Sequence, residues 1–326
     1  MNFTTEKILR KLRMSNPAFV SGVSLCQSLG ISRTAVWKHI RQLRDNGYDI
    51  EAVTNKGYRL LQAVNAPSPF ELEPLLKTEY FGRHLEYLPV TDSTNRVATE
   101  LARKDAPEGS VVIADAQTAG RGRLERKWHS PAGCNLYFSL VLRPEVTAGQ
   151  APQLALIAGV SVCRAITRMF PGLNPRAKWP NDVYLKNRKL AGILCSMVSE
   201  MERVRYLIVG IGINVNVTEF PPELAELATS VRAATGREAC RPALLATVLN
   251  ELEQAYGQWQ SSGLKSFLKE WRQISYLAGR QVEVEIMNKC VAGTVLGLSA
   301  SGALRLRDRQ GAEHEIVGGD VTIKQP

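Results

Sequence analysis

The sequence predicts a multidomain α+β protein, because its hydrophobic pattern changes twice along the chain. Helix patterns and a hairpin pattern occupy the N-terminal region, strand and helix patterns alternate through the middle, and short strand patterns separated by glycines fill the C-terminal region. The 326 residues are 44% hydrophobic and 22% charged, and a globular chain of about 150 residues per domain would hold two or three domains. The predicted divisions are a first domain at 1–62, a linker at 63–69, a central domain at 70–274 and a last domain at 275–326.

The N-terminal domain is predicted to be a winged helix-turn-helix. Helices are expected at 4–14 and 22–29, and Gly30 can end the second because glycine adopts a positive φ easily. A hairpin is expected at 50–60, and its turn at 55–57 contains the Asn and Gly residues that favour tight turns. This hairpin would form the wing.

The third helix of this domain is the predicted DNA-recognition helix. Ser32 can cap its first turn, Gly47 can end it, and Val36, Ile40 and Leu43 recur at the spacing of one buried helix face. A recognition helix presents its N-terminal residues to base edges, while neighbouring cations hold phosphates. Arg33, Thr34 and Trp37 would lie nearest the bases and Lys38 and Arg41 nearest the phosphates, and Ser32 and the wing residue Lys56 complete the candidate DNA-binding set.

Positive charge is concentrated in the N-terminal domain. Residues 1–60 hold ten Lys/Arg and four Asp/Glu, which is +6 of the net +10 of the whole chain. An excess of cations on one module indicates a polyanionic partner such as DNA. The plainer alternative is a solvated basic face on a group of short helices. The tight turn at 29–32, the cations clustered on one helix and the hairpin behind it all oppose that alternative.

The middle of the chain is predicted to form a mixed α/β domain. A linker is expected before it, and the sequence Ser68-Pro69-Phe70-Glu71 matches a capping box with proline at the first helical position, so a helix should begin there. Further along, strands are expected at 111–114, 136–142, 177–179, 183–185, 193–197 and 206–213, and helices at 94–103, 151–170, 242–260 and 264–273.

The C-terminal domain is predicted to be a small antiparallel β-barrel. Its strand patterns are short and are separated by glycines, which is typical of small barrels in which tight turns join neighbouring strands. The expected strands are 281–286, 291–298, 303–307 and 314–317.

The composition excludes several classes of protein. The longest apolar runs, at 154–163 and 207–215, are only half of the about 20 residues that a membrane span needs, so we expect no membrane-embedded segment. The N-terminus lacks a basic stretch followed by an apolar one, so we expect no secretory signal. The six cysteines include no C-x-x-C pair. We therefore expect a cytoplasmic protein with reduced thiols and no cysteine-held zinc.

The most informative segment is Q-T-A-G-R-G-R-L-E-R-K-W at 117–128, here called the basic loop. Its two glycines let the backbone bend and approach a ligand closely, and its four cations offer donors that suit phosphate or carboxylate oxygens. The loop lacks the G-x-x-x-x-G-K-[ST] pattern of a P-loop, and no helix pattern follows it as in a dinucleotide-binding fingerprint. On spacing alone, a solvated basic loop is an equal alternative.

Two further segments carry candidate chemistry. Lys178-Trp-Pro-Asn-Asp182 and the following K-L-A-G-I, which begins at Lys189, both lie between strand patterns. Asp182 could hold Mg²⁺ or a ribose hydroxyl, and Lys189 could neutralise charge at a reacting phosphate or carbonyl. The segment G-I-G-I-N-V-N at 210–216 places glycine backbone and amides at a strand end, where a ligand can approach closely. Taken singly, the charged residues are better explained by surface salt bridges.

The order of these motifs resembles that of the biotin protein ligases. S-T-N at 93–95, Q-T-A-G-R-G-R, K-W-P-N-D, R-K-L-A-G-I-L at 188–194 and G-I-G-I-N-V-N follow one another as in that family, and the match extends from about 21 to 323. With the helix-turn-helix in front, the chain is similar to the two-function members that also repress biotin operons. The resemblance implies a central fold like those of class II synthetases and biotin/lipoate ligases, and an SH3-like C-terminal barrel.

The resemblance also implies a two-step reaction. The biotin carboxylate attacks the α-phosphate of Mg-ATP, which gives biotinyl-5′-AMP and pyrophosphate, and a lysine of a biotin carboxyl carrier domain then attacks the mixed anhydride. The adenylate would also order loops of the central domain, favour a homodimer and so place two winged helices on operator DNA. The implied ligands are ATP, Mg²⁺ and biotin, and the implied partners are the carrier domain of a carboxylase, operator DNA and a second copy of the chain.

The matching motif positions imply roles for individual residues. Lys189 and Arg123 are expected to act in the reaction or in retaining the intermediate, and Asp182 is the candidate Mg²⁺ ligand. The family loop usually reads G-R-G-R-x-G-R-x-W, whereas Glu125 stands here where glycine is common. The implied biotin-binding residues are Ser93, Thr94, Asn95, Gln117, Gly120, Arg121, Arg123, Tyr137, Lys189 and Gly192. The implied ATP- and adenylate-binding residues are Arg121, Trp128, Lys178, Asp182 and Asn214.

Three alternatives stay open on the sequence. One is a ligase whose N-terminal module has lost operator control, another is a transcription factor that senses biotin or lipoate without catalysis, and the third is a lipoate ligase with the same catalytic architecture. The joint presence of Arg123, Lys189 and the K-W-P-N-D motif argues against the non-catalytic sensor. The G-R-G-R loop together with a small C-terminal barrel favours biotin over lipoate.

Overall fold

The structure is a computed structural model that describes residues 3–45, 47–62, 64–200, 203–286 and 289–323. The first residue of the predicted linker, residue 63, and the outer ends of the first and last predicted domains lie outside the described residues. The chain divides into two compact units, Met1–Asn65 and Ala66–Pro326. Over the ranges given above, no helix is both long and apolar enough to cross a membrane.

The N-terminal unit is a winged helix-turn-helix, as predicted. Its elements are α1 (Phe3–Ser15), α2 (Gly22–Leu29), α3 (Arg33–Asp45), β1 (Asp49–Val53) and β2 (Gly57–Gln62). The two strands pair antiparallel. The buried side chains that hold the unit together include Ile8, Leu9, Leu12, Leu25, Val36, Ile40, Leu43, Ile50 and Leu60. The periodicity of the third helix therefore identified its core face correctly.

Short polar residues fix the helix boundaries of this unit. The Ser21 hydroxyl oxygen accepts a hydrogen bond from the backbone N–H of Ser24 at 3.0 Å, and Gly30 ends α2 with a φ of 65°. The Ser32 hydroxyl oxygen accepts from the N–H of Ala35 at 3.2 Å and so caps α3 as predicted.

A mixed sheet of seven strands, counted over the described residues, forms the centre of the second unit. Its strands are β3 (Leu85–Thr91), β4 (Val111–Gln117), β5 (Leu136–Leu142), β6 (Arg176–Lys178), β7 (Asp182–Leu185), β8 (Arg188–Glu200) and β9 (Arg203–Ile213). The spatial order is β3-β4-β5-β9-β8-β7-β6. β3 and β4 are parallel, and the other neighbouring pairs are antiparallel.

Helices cover the two faces of this sheet unequally. They are α4 (Pro69–Leu72), α5 (Thr94–Arg103), α6 (Gln153–Met169), α7 (Val231–Thr235), α8 (Arg241–Ser262) and α9 (Leu268–Ile274). One face packs against α6 and α8 in the main hydrophobic core. On the other face α5 packs against Val112, Val141 and Ile208 in a smaller cluster. Strand side chains alternate between the two faces of a sheet. Ser139 and Gly210 therefore lie on the same face of the sheet as α5, at the edge of the area that α5 covers.

Several element boundaries differ from the predictions. Strand β3 was not predicted, and β8 extends beyond the predicted 193–197 at both ends, to Arg188 and to Glu200. The predicted helix at 264–273 is a 3-10 segment, Leu264–Phe267, followed by α9. Helix α4 begins after Ser68, but the predicted capping box is wrong, because the Ser68 side chain makes no capping hydrogen bond and Glu71 is buried in a helix of one turn.

The C-terminal region forms a small antiparallel sheet of five strands in the described part of the chain. Its strands are β10 (Gln281–Ile286), β11 (Lys289–Leu298), β12 (Leu304–Arg307), β13 (Glu313–Ile316) and β14 (Asp320–Ile323). β14, which was not predicted, pairs with β10. The Trp179 indole N–H donates to the carbonyl of Gly302 at 3.0 Å, and Val282 and Leu304 share the core of α6 and α8. The sheet is thus packed onto the central region, and the boundary at 274/275 stays a prediction.

Candidate active site

A cavity of about 420 Å³ opens on the α5 side of the central sheet. Its walls are the N-terminal end of α5, the basic loop, the β6–β7 turn, parts of β8 and β9, and the start of β14. The predicted biotin and adenylate residues that line it are Ser93, Thr94, Asn95, Gln117, Arg121, Arg123, Trp128, Lys178, Asp182, Lys189, Gly192 and Asn214. Motifs that lie far apart in the sequence therefore converge on one site, as the predictions required.

A network of neutral polar side chains lies at the end of the cavity next to α5. The Thr94 backbone N–H donates to Gln117 Oε1 at 2.9 Å, and the Gln117 side-chain amide donates to Ser130 Oγ at 3.1 Å. Ser139 Oγ lies 2.8 Å from Thr94 Oγ1 and 2.6 Å from Asn95 Oδ1. These contacts fix the side-chain positions before a ligand arrives. Such a preorganised end suits an uncharged polar ligand group.

Three glycines, Gly192, Gly210 and Gly212, form a surface that we call the glycine floor. A Cβ atom on Gly212 would lie 2.5 Å from Trp128 Nε1, one on Gly210 would lie 1.9 Å from Asn95 Oδ1, and one on Gly192 would lie 3.0 Å from Trp128 Cζ3. The Trp128 indole nitrogen is buried and has no hydrogen-bond partner among the described residues. The strands therefore need glycine at these three positions, because a side chain would collide with the Trp128 ring or the Asn95 amide.

Two lysines enter the cavity from the strands β6 and β8. Lys189 Nζ lies 2.7 Å from Asp182 Oδ1 and 5.4 Å from the centre of the Trp128 ring. Lys178 Nζ donates to the Tyr184 hydroxyl at 3.3 Å. Burial lowers the pKa of Lys178, and the nearby Asp182 carboxylate opposes that shift. The cavity thus concentrates positive charge beside its neutral polar end.

The basic loop covers the cavity. Its two ends are anchored, because Gln117 belongs to the polar network and the Trp128 N–H donates to the carbonyl of Gly120 at 2.9 Å. Fewer contacts hold its middle, at 121–126. The Arg123 guanidinium donates to Asn181 Oδ1 at 3.4 Å, Arg121 Nη1 lies 2.9 Å from Glu125 Oε2, and Arg126 pairs with Asp320 of β14. Leu124 and Glu125 adopt positive φ values of 54° and 56°. This region of conformational space costs a side-chain-bearing residue about 1 kcal/mol or more. Glu125 therefore adopts a backbone conformation that glycine would adopt without strain.

Gly120 and Tyr137 lie behind the cavity wall rather than in it. A Cβ atom on Gly120 would lie 2.7 Å from Ser130 Oγ and 2.8 Å from the carbonyl oxygen of Trp128, so glycine allows the basic loop to pack closely. Tyr137 is 1% exposed, its hydroxyl donates to the carbonyl of Pro131 at 3.1 Å, and burial raises its pKa. Direct contact of these two residues with biotin stays a prediction.

The chemistry of the donor set limits what metal the site can hold. Among the described residues, no group of three or more His, Cys, Asp or Glu side chains is arranged to bind a metal ion. Asp182 already pairs with Lys189. Because Mg²⁺ is commonly bound by one or two carboxylates together with substrate phosphates, the residues present fit a Mg²⁺ ion that arrives with a triphosphate.

Several residues in or behind the cavity wall were missed by the sequence predictions. Ser139 stood out only as the one serine in the apolar strand β5, and it is fully buried behind the lining residues Thr94 and Asn95. Asn181 accepts from Arg123 and donates its side-chain amide to the carbonyl of Ile193 at 2.6 Å. Asp320 and Thr322 come from β14, a strand that was not predicted. Their roles depend on tertiary contacts that no local pattern indicates.

The predicted DNA-binding residues share one exposed surface of the N-terminal unit. The Trp37 side chain is 52% exposed, and the Arg41 guanidinium lies 5.7 Å from the centre of its ring. Phe19, which was not predicted, packs beneath the cations of the wing. The exposed candidates are Ser32, Arg33, Thr34, Trp37, Lys38, Arg41 and Lys56. Arg33 and Lys56 also line a cavity of about 470 Å³ between α3 and the wing.

Comparison with known proteins identifies both units. Residues 87–214 match the biotin/lipoate A/B protein ligase family, and residues 4–59 match the HTH domain. The bifunctional ligase/repressor BirA of Bacillus subtilis is 40% identical over 326 residues, which cover 99% of this chain and 100% of the relative. The BirA protein of Escherichia coli is 33% identical over 313 residues, or 95% of each chain.

A solved structure supports the same assignment. The biotin protein ligase from Aquifex aeolicus in complex with biotin and ATP is 32% identical, with a TM-score of 0.66. The match covers 75% of this chain and 100% of that one. The chain therefore belongs to the biotin protein ligases and, within them, to the bifunctional ligase/repressors that carry a helix-turn-helix domain.

Proposed function

We propose that this chain activates biotin with ATP as biotinyl-5′-AMP and transfers the biotinyl group to one lysine of a biotin carboxyl carrier domain. The observation that carries the proposal is the layout of the cavity. The cavity has a preorganised neutral end and the glycine floor on one side. Beside them lie three cations from separate segments of the chain, Arg123, Lys178 and Lys189. Biotin has the matching shape, with an uncharged ring system at one end and a carboxylate at the other.

The first step brings two anions together. The carboxylate must approach a triphosphate, and Coulomb repulsion opposes this unless cations lie close by. Lys189 and Arg123, which both line the cavity, would neutralise the charge. A carboxylate oxygen forms a bond to the α-phosphorus while the bond from that phosphorus to the pyrophosphate oxygen breaks. Mg²⁺ bound to the phosphates and touching Asp182 would add positive charge at the leaving pyrophosphate.

The second step transfers the biotinyl group. The unprotonated ε-amine of the acceptor lysine attacks the carbonyl carbon of the mixed anhydride, the bond from that carbon to the phosphate oxygen breaks, and AMP leaves as the amide nitrogen loses a proton. Water would destroy the anhydride before the acceptor arrives, so it must be excluded. The basic loop, with Arg123 facing the cavity, is the segment placed to cover the intermediate.

Retention of the adenylate also explains the repressor activity. After Gly192 the strand β8 leaves its partner β7 and continues along β9 to Glu200, with Met197 43% exposed. An open strand edge of this kind can pair with a second copy of the chain. If the adenylate stabilises that pairing, ligand binding drives dimerisation by linkage. Two winged helices would then bind a palindromic operator of the biotin genes in the cytoplasm.

The enzymatic proposal is tested by mass spectrometry of a carrier domain incubated with the protein, biotin and Mg-ATP. We expect a mass gain of one biotin on one lysine, and no gain when that lysine is replaced. A parallel reaction with lipoate separates the two substrates of the family. Absence of labelling with biotin, or labelling with lipoate alone, would contradict the proposal.

The repressor proposal has a separate test. A gel-shift titration measures binding to DNA from upstream of biotin genes, with and without biotin plus ATP. We expect tight binding only with both ligands, together with dimerisation in the analytical ultracentrifuge. Ligand-independent DNA binding, or none, would instead support a ligase without operon control.

A further inference from the structure

Two tyrosine rings and two cations form a chain of contacts that begins at the cavity lining. Lys178 Nζ lies 4.8 Å from the centre of the Tyr184 ring, and the Tyr184 and Tyr276 rings stack with centres 4.7 Å apart at an interplanar angle of 25°. The Arg280 guanidinium lies 4.3 Å from the centre of the Tyr276 ring. We call these four residues the ring stack. It joins a lysine of the cavity to the start of the C-terminal sheet.

The backbone fixes the ring stack from both sides. Tyr184 in β7 is the antiparallel backbone partner of Arg176 in β6. The N–H of Tyr276 donates to the carbonyl of Ala177 at 2.8 Å, so the chain leading to β10 runs beside β6. The Tyr276 hydroxyl donates to Asn187 Oδ1 at 3.2 Å in the β7–β8 turn. The rings therefore have little freedom to move relative to the strand that carries Lys178.

The two lysines of the cavity are held by different partners. Lys189 pairs with a carboxylate at 2.7 Å, whereas Lys178 contacts the hydroxyl and the ring of Tyr184. A lysine side chain has about 2 kcal/mol of rotamer entropy. Contact with an aromatic face orients the ammonium group without cancelling its charge. An ammonium held in this way stays available to an anionic ligand.

We infer that Tyr184 is a positioning residue that directs the Lys178 ammonium toward the triphosphate, and that Tyr276 fixes the Tyr184 ring from the C-terminal side. The inference rests on the proposed adenylation of biotin. It also gives the C-terminal region a part in the first step, because Tyr276 and Arg280 precede the first strand of that region. Neither tyrosine contacts the reacting atoms in this account.

A double-mutant cycle tests whether Tyr184 acts through Lys178. The full-length variants are Tyr184→Phe, Lys178→Met and the pair, assayed by biotin-dependent release of pyrophosphate at varied ATP. Loss of a hydrogen bond worth about 1 kcal/mol predicts a fall of about three- to tenfold in kcat/KM for ATP in Tyr184→Phe. Once Lys178 has been replaced, the same change should cost less than about twofold. Equal losses in both backgrounds would overturn the inference.

A second pair of variants tests Tyr276. Tyr276→Ala removes one ring of the stack and should lower kcat/KM for ATP by about three- to tenfold, whereas Tyr276→Phe keeps the ring and should stay within about twofold of the parent. Biotin affinity measured by calorimetry without ATP should be unchanged in both. Tyr80→Phe, which alters a tyrosine outside the cavity lining, is the matched control. A similar loss in Tyr276→Phe, or a parallel loss of biotin affinity, would contradict the positioning role.

The two levels of failure can be told apart. If the parent protein releases no pyrophosphate with biotin and ATP, the proposed function fails. If the parent is active but the effects of Tyr184→Phe and Lys178→Met on kcat/KM simply multiply, only the role of the ring stack fails. That conclusion requires every variant to have the same melting temperature as the parent.

Discussion

The glycine floor and the middle of the basic loop, at 121–126, are held by different kinds of contact. The floor belongs to β8 and β9, which pair over most of their length, and the side chains beside it are hydrogen-bonded and buried. The middle of the loop is held by exposed ion pairs in which Arg121 is 62% and Arg126 is 70% exposed. Exposed pairs contribute about 1 kcal/mol or less each. We propose that the floor recognises the ligand and that the loop retains the intermediate.

The largest expected effect comes from the charged edge of the floor. Lys189→Met removes a cation that pairs with Asp182 and faces the reaction site, and preorganised charge of this kind is worth about 100- to 1000-fold in rate. We expect that loss in the rate of pyrophosphate release, measured in a single turnover. Lys186→Met, on the exposed β7–β8 turn, is the control. A loss below about tenfold would remove Lys189 from its assigned role.

A smaller effect is expected from adding a methyl group to the glycine floor. Gly212→Ala places a methyl group 2.5 Å from Trp128 Nε1, so the indole must move. Overpacking of this kind costs about 1–3 kcal/mol, which predicts biotin binding weaker by about 5- to 150-fold in calorimetry. Gly257→Ala, in α8 with no atom within 4 Å of the new methyl, should leave binding unchanged. Equal affinity in Gly212→Ala would show that the floor is not the biotin surface.

The loop should affect retention more than recognition. If Arg123 holds the adenylate as proposed, Arg123→Gly removes a charge-assisted contact worth about 1.5–3 kcal/mol, and biotinyl-5′-AMP should dissociate about 10- to 150-fold faster. The released anhydride should then label lysines of bystander proteins. Biotin affinity without ATP should change little. Unchanged dissociation, measured by trapping labelled adenylate, would contradict the division between floor and loop. Arg188→Gly, which removes an exposed pair with Glu226, is the control.

The smallest effect concerns the residue that departs from the family pattern. Glu125 occupies a left-handed conformation and pairs with Arg121. Glu125→Gly removes both the strain and the competing carboxylate, whereas Glu125→Gln removes the charge alone. Because the pair is exposed, we expect no more than about a threefold decrease in KM for ATP in both variants. A decrease in Glu125→Gly alone would assign the effect to the backbone, and an increase in both would mean that the pair assists ATP binding.

The same contrast between buried strands and exposed connections governs what the sequence could predict. Strand β5 and helix α5 were predicted with correct bounds, and β5 is the clearer case because it is an almost continuous apolar run that is buried at every position. Strand β3 was missed because it lies at the sheet edge, half-exposed, with Pro89 in its middle. Strand β14 was missed because four residues with mixed polarity give no periodicity.

The candidate site was predictable where one motif supplied several residues of the cavity lining. The S-T-N, G-R-G-R, K-W-P-N-D and K-L-A-G-I segments all reach the cavity. Ser139, Tyr184 and Asp320 were not predicted, because each acts through a neighbour that is distant in the sequence. Gly120, a predicted ligand contact, lies outside the cavity lining and packs the base of the loop, so its contact with biotin stays a prediction. Motif position identifies a wall of the site, but only tertiary contacts identify which side chains face the ligand.

Hydrogen exchange across the cavity tests the central claim most directly. Amide exchange is followed by mass spectrometry for peptides of the basic loop and for peptides of β8 and β9, in the free protein and with biotinyl-5′-AMP. We predict that loop amides exchange rapidly in the free protein and become protected by the adenylate, while the strand amides are protected in both states. Loop amides that exchange equally fast with and without the adenylate would contradict the account.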